Sequence, residues 1–193
     1  MRVEALTGGD LEAALDDVAR LRIAVFRDWP YLYDGSFDYE RDYLQTYRDS
    51  AGAIVVGAFD GDRLVGAATG TPMEDHAEDF AAAFTGTGHD LGDLFYCAES
   101  VLLPAYRGRG IGHAFFDRRE AHARQLGHGH SCFCAVMRPD DHPLRPEGYV
   151  PLDAFWRKRG YAPLPGVTAT FRWRDVDRSA ETDHALQFWM RPL

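Results

Sequence analysis

The apolar positions change period several times along this chain, and each change marks an element. Residues 2–6 read as a short strand. From Asp10, a good N-cap, Leu11, Ala14, Leu15, Val18, Leu21 and Val25 recur at helical spacing and make one apolar face, which stops before Pro30. Residues 28–47 are crowded with aromatics and acids, and a short helix is expected in their second half. Runs 53–59 and 64–71 are strand-like and meet at Asp60-Gly61-Asp62, a hairpin signature. A short acidic helix over 74–84 and a glycine-rich loop over 85–92 follow. Residues 94–103 (LFYCAESVLL) are the strongest strand candidate and are closed by Pro104. After a glycine-rich turn comes a helix to about Leu126, with Gly112, Phe116, Ala123 and Leu126 on one side. A strand over 131–137, a loop over 138–149 and a helix over 151–159 ending at Gly160 precede two last strands, 167–174 and 184–190. The order β α α β β (α) β α β α β β mixes hairpins with helical crossovers. It predicts an α/β fold, a mixed sheet flanked by helices, in a single domain over 1–193.

Charge sharpens this picture. The net charge is −9, and residues 1–100 hold 20 of the 30 acidic but only 7 of the 21 basic residues. An acidic half argues against nucleic acid and favours a cationic substrate, whereas the basic remainder suits an anionic cofactor. Arginine dominates the basic set, with Lys158 the single lysine, which suggests a GC-rich bacterial genome. The N-terminus lacks an apolar signal region and no stretch is long enough to span a membrane, so a cytoplasmic location without membrane contact is expected. Cys97, Cys132 and Cys134 lie in apolar runs and read as buried thiols rather than disulfide or zinc ligands. His113 and Asp117 read as a solvated helix face, and no metal site is expected.

The chemistry concentrates in Pro104-Ala-Tyr-Arg107-Gly108-Arg109-Gly110-Ile111-Gly112, between a strand and a helix. Glycines admit a ligand close to the backbone, and the following helix start offers unpaired N–H donors for a pyrophosphate. Arg107 and Arg109 add charge. The spacing of Gly108, Gly110 and Gly112 does not fit a dinucleotide-binding fingerprint. Arg107-x-x-Gly110-x-Gly112 after Leu102-Leu103-Pro104 resembles the [Q/R]-x-x-G-x-[G/A] motif of the Gcn5-related N-acetyltransferases (GNAT), and Phe155-Trp156…Gly160-Tyr161 resembles their aromatic-rich last helix. Element order matches over nearly the whole chain. The resemblance implies acetyl transfer from acetyl-coenzyme A to an amine. It implies pyrophosphate binding by residues 108–112, Ile111 included, and pairing of the pantetheine arm with the backbone around Val101, Leu102 and Leu103. It also implies that strands 94–103 and 131–137 splay apart at a bulge, with the thioester in the gap.

An alkylamine must lose a proton before it attacks, and a carboxylate near the acceptor can take it. Glu99 is the first choice: by strict alternation it shares an apolar face with Phe95, Cys97 and Val101, which would raise its pKa, unless a bulge turns it to an arginine. Tyr96 is an alternative on the opposite face. The resemblance implies a tyrosine acid where this chain has Trp156, which is expected to pack on the coenzyme or the sheet; Tyr149 or Tyr161 would then serve, or the thiolate leaves unaided. Trp29, Tyr31, Tyr33, Asp34 and Tyr39 belong to an aromatic and acidic stretch able to cage an ammonium group, with the acidic residues 74–79 as another wall. The acceptor expected is a small cationic amine. Alternatives are an inactive coenzyme A-binding module, or an acyltransferase for a longer acyl group or a peptide N-terminus. A homodimer through the final strands is also expected.

Overall fold

The computed structural model describes residues 1–193. Its core is one eight-stranded sheet, with strands in the order β1-β2-β3-β4-β6-β8-β7 and β5 pairing β3. The strands are β1 Arg2–Leu6, β2 Ile54–Asp60, β3 Arg63–Pro72, β4 Leu94–Tyr96, β5 Ser100–Leu102, β6 His130–Val136, β7 Ala162–Trp173 and β8 Thr182–Pro192. The helices are α1 Gly8–Phe26, α2 Phe37–Asp49, α3 Ala77–Phe84, α4 Ile111–Gln125 and α5 Asp153–Lys158. Only β4–β6 is parallel; every other pairing is antiparallel. No helix is long and apolar enough to cross a membrane.

Three apolar clusters divide the two faces of the sheet. On one face α4 and α5 pack Phe115, Phe116 and Phe155 against Phe95, Cys97, Phe133 and Trp189. On the other, α1 and α2 cover β1–β3 and β5, and α3 covers β4, β6, β8 and β7. All three cysteines are buried and unpaired.

The sequence boundaries shift in three places. Helix α1 starts at Gly8 after Thr7 rather than at Asp10, so Asp10 lies in the first turn, where its charge suits the helix dipole. Strand β7 begins at Ala162, before its prolines, because Ala162 and Pro163 pair β8 and a break in register follows before Thr168. The run 94–103 is two strands, not one. Ala98 N–H donates to Thr69 C=O (3.1 Å) and Thr69 N–H donates to Glu99 C=O (3.1 Å), so two residues oppose one in a β-bulge.

That bulge opens the sheet. Up to Cys97, whose N–H reaches Cys132 C=O (2.8 Å), the chain follows β6; beyond it β5 leans on β3 alone. Leu103 N–H donates to Val65 C=O (3.0 Å), and Ala67 opposes Val101 in the same register. Hydrogen-bonded pairs alternate in an antiparallel ladder, so Val101 and Leu103 direct their backbone groups to β3, while those of Ser100 and Leu102 point into the gap.

Candidate active site

Two surfaces meet at the bulge. The first is the turn into α4. Gly108 and Gly110 have φ of +75° and +80°, and nothing lies within 4 Å of where a Cβ would sit on either. No side chain caps α4, and the N–H groups of residues 108–113 bond no backbone carbonyl. They therefore present free donors at the positive end of the helix. Arg109 is held by Ala105 C=O (2.9 Å) and lies over the Tyr106 ring; Arg107 Nε donates to Leu102 C=O (3.3 Å). Free donors, open glycines and the edge of Ser100 and Leu102, which has no strand partner although Leu102 C=O accepts from Arg107, fit a pyrophosphate joined to an amide-bearing arm. The pairing edge differs from the expected one: Leu102 offers it, with Ser100, whereas Val101 and Leu103 are taken by β3.

The second surface is a cavity of about 500 Å³ between α1, α2, the bulge and the β7–β8 hairpin. Tyr31, Tyr33, Asp34 and Tyr39 line it, as expected, together with Tyr96, Ala98, Glu99 and Cys134. Trp29 does not; it packs on His142 and Tyr149 beside the cavity. None of residues 74–79 lines it either, since Asp75 is turned to Ser50 and Thr71. The far wall, absent from the sequence expectation, comes from Phe171, Trp173 and Glu181 on β7 and the turn after it.

Glu99 reaches this cavity because the bulge puts Ala98 and Glu99 on one side. It does not share the face of Phe95 and Cys97, and Tyr96 is its neighbour rather than its opposite. Nor are its surroundings apolar. Arg22 of α1 pairs with both Glu99 and Glu40 of α2, and Tyr43 Oη donates to Glu99 Oε2 (3.3 Å). All three charged groups are buried. Burial opposes the Arg22 charge, but Glu99, Tyr43 and Glu40 outweigh it and hold the guanidinium well above its ordinary pKa. Two carboxylates on one cation make this buried triad formally negative by one, with Glu99 at the cavity floor and Glu40 behind Arg22; the other cations lining the cavity, Arg172 and Arg174, pair with Asp183 and Asp34.

Asp34, by contrast, is not free for an ammonium group: Arg27 (2.6 Å) and Arg174 bond it and hold its carboxyl below the ordinary range. Glu181 makes no ion pair. The loop carrying Tyr31 and Tyr33 is fastened by Arg138, which donates to Pro30 and Tyr31 C=O and, bidentate, to Asp175 (2.7 and 2.8 Å).

The expected acids lie elsewhere. Tyr161 is buried on the α4 face; its hydroxyl meets Ser131 Oγ (2.7 Å) and donates to Glu120 Oε1 (3.0 Å), and burial pushes its pKa far up. Tyr149 stands against Trp29 and under Arg145. Trp156 packs between Phe133 and Trp189, at 5.0 and 5.2 Å between ring centroids.

Residues 18–146 match the model of the acetyltransferase (GNAT) family. The chain belongs to the GNAT family. No curated protein matches the sequence. Among solved structures, a ribosomal-protein-alanine N-acetyltransferase from Brucella melitensis is similar at 14% identity and TM-score 0.63, covering 100% of both chains. An aminoglycoside 6′-N-acetyltransferase complexed with coenzyme A is similar at 16% identity and TM-score 0.60, covering 100% of this chain and 97% of that one. A phosphinothricin acetyltransferase from Sinorhizobium meliloti in complex with acetyl-coenzyme A follows at 17% and 0.58, covering 100% and 88%. These likenesses establish the GNAT fold, as the element order predicted.

Sequence reasoning missed Arg22 in this GNAT site, although a signal was present. Arg22 stands four residues from Val18 and three from Val25, inside the apolar stripe of α1. A charge in such a stripe needs a buried partner.

Proposed function

We propose that this GNAT protein transfers the acetyl group of acetyl-coenzyme A to a small primary amine that arrives as its ammonium ion. The observation that carries the reading is the charge at the floor of the acceptor cavity. Arg22 cannot balance both Glu40 and Glu99, and a cation entering the cavity completes the balance. Tyr31, Tyr33 and Tyr39 present aromatic walls that suit an alkylammonium group.

Acetyl-coenzyme A supplies the activated acyl thioester. The N–H groups of residues 108–113 bind its pyrophosphate with Arg107 and Arg109 nearby, and Ser100 and Leu102 hold the arm at the strand gap. Glu99 takes a proton from the ammonium group and so frees the nitrogen lone pair; as that nitrogen bonds to the acyl carbon and the carbon–sulfur bond breaks, its second proton passes to solvent. A thiol of pKa ~8.5 leaves as thiolate without an acid, which is consistent with Tyr149 and Tyr161 lying outside the cavity and with Trp156 in place of a tyrosine.

Calorimetric titration with acetyl-coenzyme A tests the first half. Micromolar binding is expected, and Gly110→Asp should abolish it with the fold intact, since a side chain there enters the open space over the turn. Turnover of a panel of amines tests the second half. Binding without turnover of any amine would favour a coenzyme A-binding module, and turnover of anionic or neutral acceptors alone would overturn the cationic reading.

A further inference from the structure

Arg119 of α4 is 1% exposed, among the largest fully buried side chains of the molecule. None of its partners is a carboxylate. Nη1 donates to Thr69 C=O (3.0 Å) and Glu99 C=O (2.9 Å), Nη2 to Ser100 Oγ (2.8 Å) and Nε to Phe115 C=O (3.3 Å). A buried charge without a counter-ion carries a heavy desolvation cost, so its place requires an explanation. It straddles the two carbonyls of the bulge. The opposite face of the same bulge holds the reverse imbalance, Glu40 and Glu99 on the single Arg22. The bulge thus separates an excess negative charge, facing the acceptor cavity, from an excess positive charge behind the strand gap.

The peptide joining Glu99 to Ser100 lies between them. Its carbonyl accepts from Thr69 N–H (3.1 Å) and from Arg119, and its N–H, that of Ser100, points into the gap without a strand partner. A carbonyl polarised by a cation makes the N–H of the same peptide a stronger donor, and chains of such bonds reinforce one another in a dry interior. We propose that Arg119 is a positioning residue that acts through this peptide: it fixes the bulge and makes Ser100 N–H the donor to the acyl carbonyl oxygen at the gap. The donor is then in place before charge builds on that oxygen, which is where preorganised dipoles accelerate acyl transfer. The inference rests on the acetyl-coenzyme A reading above and needs no knowledge of the acceptor.

Isotope-edited infrared spectroscopy of the complex with acetyl-coenzyme A, carbon-13 labelled at the acetyl carbonyl, reads this polarisation directly. In the wild type the carbonyl band should lie below its position in free solution. Arg119→Lys, which keeps a cation on the bulge carbonyls, should retain the displacement. Arg119→Gln should lose it while calorimetric affinity for acetyl-coenzyme A stays within about threefold, and kcat should fall about tenfold or more. If Arg119→Gln fails to fold, Ser100→Pro removes the N–H itself at a position outside the ladder, and should lose the displacement with Arg119 still present. An undisplaced band in the wild type, or a displacement that persists in a folded, ligand-bound Gln or Pro variant, overturns the proposal. Failure of the wild type to bind acetyl-coenzyme A overturns the reading beneath it instead.

Discussion

Buried charge at single residues decides what the acceptor cavity does, and three substitutions separate the roles. Glu99→Gln leaves Arg22 paired with Glu40, so the fold should hold while kcat falls about 10²–10⁴-fold, the range for losing a general base. Calorimetry should show unchanged acetyl-coenzyme A affinity, and an unchanged rate would remove Glu99 from the mechanism. Glu40→Gln keeps Glu99 on Arg22 but makes the triad neutral. KM for a cationic amine should then rise about tenfold, with little change for a neutral nucleophile, because Glu40 stands behind Arg22 and its attraction is nearer the ~1 kcal/mol of a well-screened pair than the ~4 kcal/mol of a close one. Arg22→Leu strands two buried carboxylates and should cost about 3–5 kcal/mol, seen as a melting temperature lower by about 10 °C. The sequence displayed the signal for Arg22 and for Arg119 alike, since each stands in the apolar stripe of its helix. What it concealed was the partner. Arg22 meets residues 18 and 77 positions further along the chain, and Arg119 meets carbonyls, which no side-chain pattern records.

At the scale of elements, the residue pattern showed nearly all strands and helices, whereas the bulge was expected only through the family resemblance and the fastening of the acceptor loop was not expected at all. The run 94–103 carries no residue that marks a break, yet it bulges at Ala98-Glu99, because the deviation lies in the pairing with Thr69 and not in composition. The acceptor loop is similar: its aromatics were legible, but the clip that holds it was not. Leu32 adopts φ +55°, a left-handed conformation costing a leucine roughly 1–2 kcal/mol, and Arg138 with Asp175 holds the loop in it. Burial opposes the Asp175 charge, but Arg138 outweighs it and lowers the carboxyl below its ordinary value of 3.8. The folded state therefore binds this proton less readily than the unfolded chain. The stabilisation is complete above 3.8 and is lost as pH falls through the lowered folded value. Denaturant melts from pH 6 to pH 3, compared with Asp175→Asn, should give a stability difference that is flat at the upper end and shrinks below about pH 4. A difference independent of pH would show that the clip is not ionic. At neutral pH Asp175→Asn should raise the acceptor KM and leave acetyl-coenzyme A affinity unchanged, because the loop touches only the acceptor cavity.

In the whole molecule the sheet behaves as two halves that meet through a short seam. β1, β2, β3 and β5 carry α1 and α2, and β4, β6, β8 and β7 carry α3. The ladder joining the halves is only two pairs between β3 and β4, and β4 in turn holds β6 by only three parallel pairs. Strand alternation alone could not reveal this. That β8 inserts between β6 and β7, and so brings Phe171, Trp173 and Glu181 across to residues 31–39, depends on long-range pairing. A ligand arm seated in the gap would add a hydrogen-bonded edge to β5 and stiffen the seam. Hydrogen exchange resolved to single amides should show it: Ser100 and Leu102 exchange fast in the free protein and gain protection with acetyl-coenzyme A, while Val101 and Leu103, already bonded to β3, are slow in both states. Mass action sets the accompanying stabilisation at about 2.7 kcal/mol at one hundred times Kd, or a melting temperature higher by about 5–10 °C. Equal protection gained at all four amides would mean that β5 itself orders on binding. Protection confined to Val101 and Leu103 would place the arm on the wrong edge and require the register at the gap to be redrawn.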